Sequence, residues 1–296
     1  MKTSLIVKSA VVTSLVLLGA SVQAQTLVYS VNGTGGTGGG SSSVTATPST
    51  APGGSSALTL IAGNNDYSFG TGVDGVAGES IVNSGTYNNG SGGDLAGNMG
   101  SLGTLSQLTL TMWINPSSSP AGNNERLLDI SSGGSPTTGT ADGNEVFFGI
   151  NADGGLQFYA NGVNPSSDTS GTTVFNGGMA QINSWYFLAV VYDTVNSVYS
   201  LYTGTTSSSA TLQYSFTGLS GSSIAFGSTS SIFLANRPNE LRTFPGSIDD
   251  VNLYSGAMTQ SQLDALQVSE VPEPGTLALI GVGFGGLVAR MRRQRS

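Results

Sequence analysis

Between residues 57 and 268 the chain alternates short apolar runs with clusters of Gly, Asn, Asp and Ser. Leu108-Thr-Leu-Thr-Met-Trp-Ile-Asn-Pro116 places Leu108, Leu110, Met112 and Ile114 on one face, the period of a strand with one side buried. Val146–Ile150 and Leu156–Ala160 flank Asn151-Ala-Asp-Gly-Gly155, whose Asp153-Gly154 suits a hairpin turn. Trp185–Tyr192 is apolar at both parities, which predicts a strand covered on both faces, and Val198–Tyr202 is placed to pair with it across Asp193–Asn196. Ser231–Ala235 and Ile248–Tyr254 predict two more strands, and Leu60–Phe69 an opening one. One helix is expected at Gln260–Leu266. Thr259 and Gln262 have capping-box spacing, and Leu263 and Leu266 share a face. Many short strands with turn signals and almost no helical periodicity predict an all-β, two-sheet antiparallel sandwich.

The ends differ from the middle. Lys2 and Lys8 flank the start of the apolar run Ala10–Ala20, and Val22 and Ala24 are small apolar residues suited to a signal peptidase. This is the plan of a secretory signal over residues 1–24, cleaved after Ala24. From Asn32 to Ser56 nearly every residue is Gly, Ser, Thr, Pro or Ala, so residues 25–57 are expected to be a linker or irregular surface segment. At the other end Val271-Pro272-Glu273-Pro274-Gly275 precedes an apolar run at 276–289 and the tail 290–296 with Arg290, Arg292, Arg293 and Arg295. The prolines block helix entry, the run predicts a short transmembrane helix, and the arginines favour a cytoplasmic end.

Composition removes whole classes of chemistry. The 296 residues include no Cys and no His, which excludes thiolate nucleophiles, disulfides, Ser-His-Asp relays and ordinary zinc sites. Within residues 25–270 only Arg126, Arg237 and Arg242 are basic, against 16 Asp and Glu, a net charge of −13. Such a surface repels phosphate backbones, so no nucleic-acid partner is expected.

The ordered set at 271–296 resembles the PEP-CTERM sorting signal, with its Val-Pro-Glu-Pro motif, short apolar helix and Arg-rich terminus. The resemblance implies a Gram-negative bacterium that makes exopolysaccharide. It also implies transient anchoring in the inner membrane and processing near Pro272–Pro274 by an exosortase. Leu108–Pro116, Trp185–Asp193 and Phe244-Pro-Gly-Ser-Ile-Asp-Asp-Val-Asn-Leu-Tyr254, followed by Ala257–Leu266, resemble in that order the LamG-like, concanavalin A-like jelly-roll domains. The domain is expected at residues 58–268; the Gly-rich residues 70–104 depart from the family pattern.

The family includes laminarinase-type glycosidases whose catalytic strand reads E-x-D-x-x-E, and that spacing is absent here. Glu125 and Asp129, four apart, would lie roughly 13 Å from each other along a regular strand, too far for a retaining pair. The expectation is therefore not an enzyme. Asp249 is the leading candidate site residue. Alternation puts it with Val251 and Leu253, toward the core, where a carboxylate needs a partner. The resemblance implies a structural calcium there, held together with backbone carbonyls; Asp66, near the opening strand, is the candidate second ligand, and the alternative is an Asp held by backbone N–H groups or by Arg242. Tyr159 has opposite parity to Leu156 and Phe158, and is the aromatic candidate for stacking on a sugar ring. The other aromatics, Trp113 and Trp185 above all, read as core.

The chain thus reads as an exported, sorted, non-catalytic surface or extracellular-matrix protein. Its jelly-roll would bind the producer's exopolysaccharide or another envelope component. The alternative is a structural matrix protein without a specific ligand.

Overall fold

Two antiparallel sheets face each other across a shared apolar core, as the alternation predicts. The computed structural model describes residues 25–33, 45–60, 66–86, 95–120, 125–132, 146–151, 155–160, 182–219, 223–237 and 242–271. In chain order the strands are β1 (Thr26–Val31), β2 (Thr45–Ala46), β3 (Leu58–Leu60), β4 (Tyr67–Thr71), β5 (Ala77–Asn83), β6 (Leu95–Asn98), β7 (Gly103–Leu105), β8 (Gln107–Pro116) and β9 (Glu125–Ser132). They continue as β10 (Val146–Ile150), β11 (Leu156–Ala160), β12 (Tyr186–Asp193), β13 (Val198–Thr205), β14 (Ser208–Thr217), β15 (Ile224–Phe226), β16 (Ser230–Leu234) and β17 (Gly246–Ser255), before the helix α1 (Gln260–Glu270). The first sheet runs β14-β13-β12-β8-β17-β5-β4, with β1 added along β17; the second runs β11-β10-β9-β16-β6-β3-β2.

Period-two patterning sets the layers. Leu108, Leu110, Met112 and Ile114 of β8 enter the inter-sheet core with Leu188, Val190 and Tyr192 of β12, and meet Leu128, Phe148, Phe158 and Ile232 of the second sheet. The opposite parity of β12, Phe187, Ala189 and Val191, is also buried. With Trp113 and Leu263 it forms a second cluster on the outer face of the first sheet, beneath α1. That is why Trp185–Tyr192 is apolar at both parities. Trp185 is half-buried against this cluster.

The helix begins as expected. The Thr259 hydroxyl accepts from the Gln262 N–H and the Gln262 side chain accepts from the Thr259 N–H, so both halves of the capping box are present. It runs on to Glu270, beyond the expected Leu266. Gln267 fixes its far half to the sheet by donating to the carbonyls of Thr205 (2.7 Å) and Ser208 (2.6 Å).

Two expectations are corrected. Residues 25–57 are not all linker, because β1 pairs with β17 through Thr26–Val31 and β2 pairs with β3. The apolar positions Tyr29 and Val31, each at most 1% exposed, give β1 a buried face despite the Gly/Ser-rich stretch after it. Leu60–Phe69 is not one strand: β3 lies in the second sheet and β4 in the first. The signal segment with Ala24, the Asp153-Gly154 turn, residues 272–275 of the sorting motif, the apolar run 276–289 and the terminal arginines lie outside the described residues. Among the described residues no helix is long and apolar enough to cross a membrane.

Candidate functional site

The candidate site starts from a defect in β17. Opposite β8, Asp249 pairs with Trp113 and Asn252 with Thr111, so Asp250 and Val251 together oppose the single residue Met112. This is a β-bulge. Asp250 takes φ 45°, a left-handed conformation that Asp tolerates better than most residues. The Asp250 N–H donates to Asp249 Oδ1 (3.0 Å), and Asn252 Nδ2 donates to the Asp250 carbonyl (3.1 Å). The bulge also lies where β17 changes partner on its other side, from β5 at Gly246–Ile248 to β1 at Val251–Ser255.

The bulge reverses the expected orientation of Asp249. Ile248, Val251 and Leu253 all enter the inter-sheet core, whereas Asp249 is carried to the outer face beside Trp113. It is nevertheless only 3% exposed. The turn joining β4 to β5 reaches it, and the Val73 N–H donates to Asp249 Oδ2 at 2.9 Å. Of the alternatives open from the sequence, the hydrogen bonds made by Asp249 are those to backbone N–H groups, from Val73 and Asp250.

Further carboxyls surround this point. Asp74 stands in the same turn, its Oδ1 accepting from the Val76 N–H at 2.8 Å. Glu270, the last residue of α1, is half-buried and meets the two central strands β8 and β17 on the outer face of the first sheet. Trp113 Nε1 donates to its Oε2 (2.7 Å) and Asn252 Nδ2 to its Oε1 (3.2 Å). Burial is the first cause that pushes Asp249 up to about 7, and the neighbouring Asp250 charge is the second. The two N–H donors oppose this rise, and Asp74 adds to it. Burial, then Asp250, raises Glu270 to about 8 against the Trp113 hydrogen bond. Asp250 is raised by burial and by Asp74, while a hydrogen bond from Asn32 works the other way. Like charges in low dielectric produce these directions.

The Asp249 and Asp74 carboxylates both pack against Gly72. A Cβ built there would lie 2.6 Å from Asp249 Oδ2 and 3.0 Å from Asp74 Oδ1, so the close approach of the two carboxylates to the backbone requires that residue 72 have no side chain. Among the described residues no group of three carboxylates is arranged to hold a metal. A hard cation here would take Asp249 and Asp74 and complete its shell with backbone carbonyls and water. Gly72→Ala is expected to force these carboxylates apart and destabilise the protein by about 1–3 kcal/mol, as for other overpacked sites, read by urea unfolding. A neutral effect would show the space to be freely deformable.

Asp66 is not part of this cluster. It precedes β4 at the end where Tyr67 pairs with Asn83, and its carbonyl accepts from the Ser84 N–H. Asp249 stands one residue beyond the Ile248–Ile81 pair. The two are separated by several residues of strand, roughly 10 Å or more, and by the width of β5. Tyr159 keeps its predicted parity outside the inter-sheet core. There it is half-buried and stacked on Phe147 (centroids 5.2 Å, planes 4° apart), and the Arg126 guanidinium lies 3.2 Å from the Phe147 centroid. A bulge at Leu127 lets Arg126 and Asp129 share a face, with Nε 3.5 Å from Oδ2. The sequence reading missed Asp74, Glu270 and Gly72. The Asp74-Gly75 turn pair was the one visible signal, and Glu270 carried none.

The concanavalin A-like lectin/glucanases superfamily matches residues 88–264, more than half of the chain. The chain belongs to this superfamily. A PEP-CTERM protein-sorting motif matches residues 270–293, which marks the concanavalin A-like domain for export and membrane-associated processing by an exosortase. No curated protein matches the chain. Among solved structures, a heptameric SAP-like pentraxin from Limulus polyphemus is similar at 16% identity and TM-score 0.47, over 66% of this chain and 84% of that one. Domain 4 of an extracellular arabinanase from Geobacillus stearothermophilus, in complex with arabinotriose, is similar at 18% identity and TM-score 0.40, over 67% and 86%. The receptor-binding domain of a botulinum neurotoxin mosaic serotype C/D is similar at 12% identity and TM-score 0.48, over 82% of this chain and 51% of that one.

Proposed function

We infer that the protein is a non-catalytic binding protein of the cell surface or extracellular matrix, exported by a Gram-negative bacterium. Its jelly-roll engages carbohydrate, the producer's exopolysaccharide foremost, and a structural calcium sits between Asp249 and Asp74. The observation that carries this reading is the junction between domain and sorting signal. Glu270 is tied into the jelly-roll by Trp113 and Asn252 and is separated from Pro272 by Val271 alone. Whatever holds or cuts the signal therefore holds or releases a folded domain, with no intervening linker. The superfamily's lectins and glucanases handle carbohydrate. The missing E-x-D-x-x-E and the pairing of Asp129 with Arg126 support binding over hydrolysis. Calcium would supply positive charge beside Asp249, whose pKa the Asp250 and Asp74 charges raise. Tyr159 offers a stacking ring on the outer face of the second sheet.

One observation favours the structural alternative. The edge strand β14 is ten residues long and carries no charge, whereas sheet edges are commonly protected by charge against pairing with another copy. The test is a glycan array probed with the full chain, alongside sedimentation over a range of concentrations. Saturable glycan binding by a monomer is the expected result. Concentration-dependent assembly with no glycan retained would replace this reading with the structural one.

A further inference from the structure

Beyond the outer-face apolar cluster, the first sheet carries a groove of about 620 Å³ between the start of α1 and the β12–β13 turn, within the usual range for small-molecule sites. We propose that this groove binds a neutral saccharide, a site assignment that rests on the carbohydrate-binding reading above.

One wall is built on Asp193. Its carboxylate accepts from the Asn196 N–H (3.0 Å) and Asn196 Nδ2 (2.7 Å), and also from Gln107 and the Val195 backbone. With these donors the carboxylate is satisfied and calls for no cation. Its effect is to fix two amides by their N–H ends, leaving the carbonyl oxygens of Asn196 and Gln107 as acceptors. The opposite wall is a second amide chain. Gln25 Nε2 donates to the Ala257 carbonyl (3.0 Å), Gln262 Nε2 donates to Gln25 Oε1 (2.5 Å), and Gln262 Oε1 accepts from the Thr259 N–H (2.9 Å). Each of these two NH₂ groups keeps a second N–H. The lining thus offers both acceptors and donors, which suits hydroxyl groups that both give and receive. The apolar parts of Val191, Met258 and the half-buried Tyr202 also line it, as the C–H face of a sugar ring requires.

Charge narrows the class further. Among the described residues no basic side chain lines the groove, and the net charge of −13 over residues 25–270 disfavours an anionic ligand. An uncharged polyol with one apolar face fits both facts.

The test uses the full chain titrated calorimetrically with short neutral gluco-, manno- and galacto-oligosaccharides. Gln107→Ala with Asn196→Ala removes both acceptors. Gln262→Glu preserves the capping box but exchanges a donor for a negative charge, so it reports on the groove even if the first variant disturbs the turn. Each is expected to weaken binding about tenfold or more, with Gln262→Glu still melting cooperatively because its capping box is kept. Oligosaccharide binding that both variants retain would overturn the groove and leave the carbohydrate reading standing for another surface. No binding of any probe by the unaltered chain would overturn both.

Discussion

In EDTA, the protein loses stability as pH rises from about 4 to about 8, the reverse of ordinary acid denaturation. Asp249 moves from 3.8 when unfolded to about 7 in the fold, and Glu270 from 4.5 to about 8. The folded state therefore binds more protons than the unfolded chain throughout this interval, so its stability is fully present below the unfolded values. That stability is lost as pH climbs through the folded ones. At 1.36 kcal/mol per pH unit, Asp249 alone accounts for a loss on the order of 4 kcal/mol. Glu270 adds less, because it is half-buried and partly screened by solvent. Thermal melts in steps across this range should show a fall of about 10 °C for a domain of this size. A flat or rising curve would mean that the cluster is solvated and its acids titrate normally.

The second large effect belongs to Trp113. It is fully buried, packs edge-on against Phe187 at 5.3 Å and 61°, and gives its indole N–H to Glu270. Trp113→Ala leaves a cavity beneath α1 and removes the donor, with an expected cost of about 3–5 kcal/mol in urea unfolding. Trp113→Phe separates the two contributions. It keeps most of the apolar contact and loses only the hydrogen bond to the half-buried Glu270, about 1 kcal/mol. That cost should be larger above pH 8, where Glu270 is ionised, than below it. Equal costs at both pH values would show that the indole N–H does not hold the carboxylate.

The layers were legible where a single local rule decides them. Alternation in β8 and double-parity burial in β12 are period-two signals, and Thr259 with Gln262 marks a helix start within one turn. Other features depend on partners far along the chain. The bulge at Asp250 is invisible in Ile248-Asp-Asp-Val-Asn-Leu-Tyr254, yet it turns Asp249 from the inter-sheet core to the outer face. The residues that meet Asp249 come from a turn 176 positions earlier in the sequence and from the far end of α1. Asp66 looked suitable by type and lies at the wrong end of the β4–β5 hairpin. Tyr159 was placed on the correct side because β11 is regular over its whole length; its stacking on Phe147 follows from the strand pairing, in which the two residues are direct partners.

The cluster at Gly72, Asp74 and Asp249 as a cation cradle is tested most directly by thermal unfolding at about pH 8, first with EDTA and then with millimolar calcium. A ligand that binds only the folded state adds about 2.7 kcal/mol at a hundredfold excess over Kd. The expected result is a clear rise in melting temperature that is absent in Gly72→Ala and Asp249→Ala, together with a flatter pH profile when calcium is present. An unchanged melting temperature at saturating calcium would contradict it, and would leave Asp249 as a buried acid held by the N–H groups of Val73 and Asp250 alone.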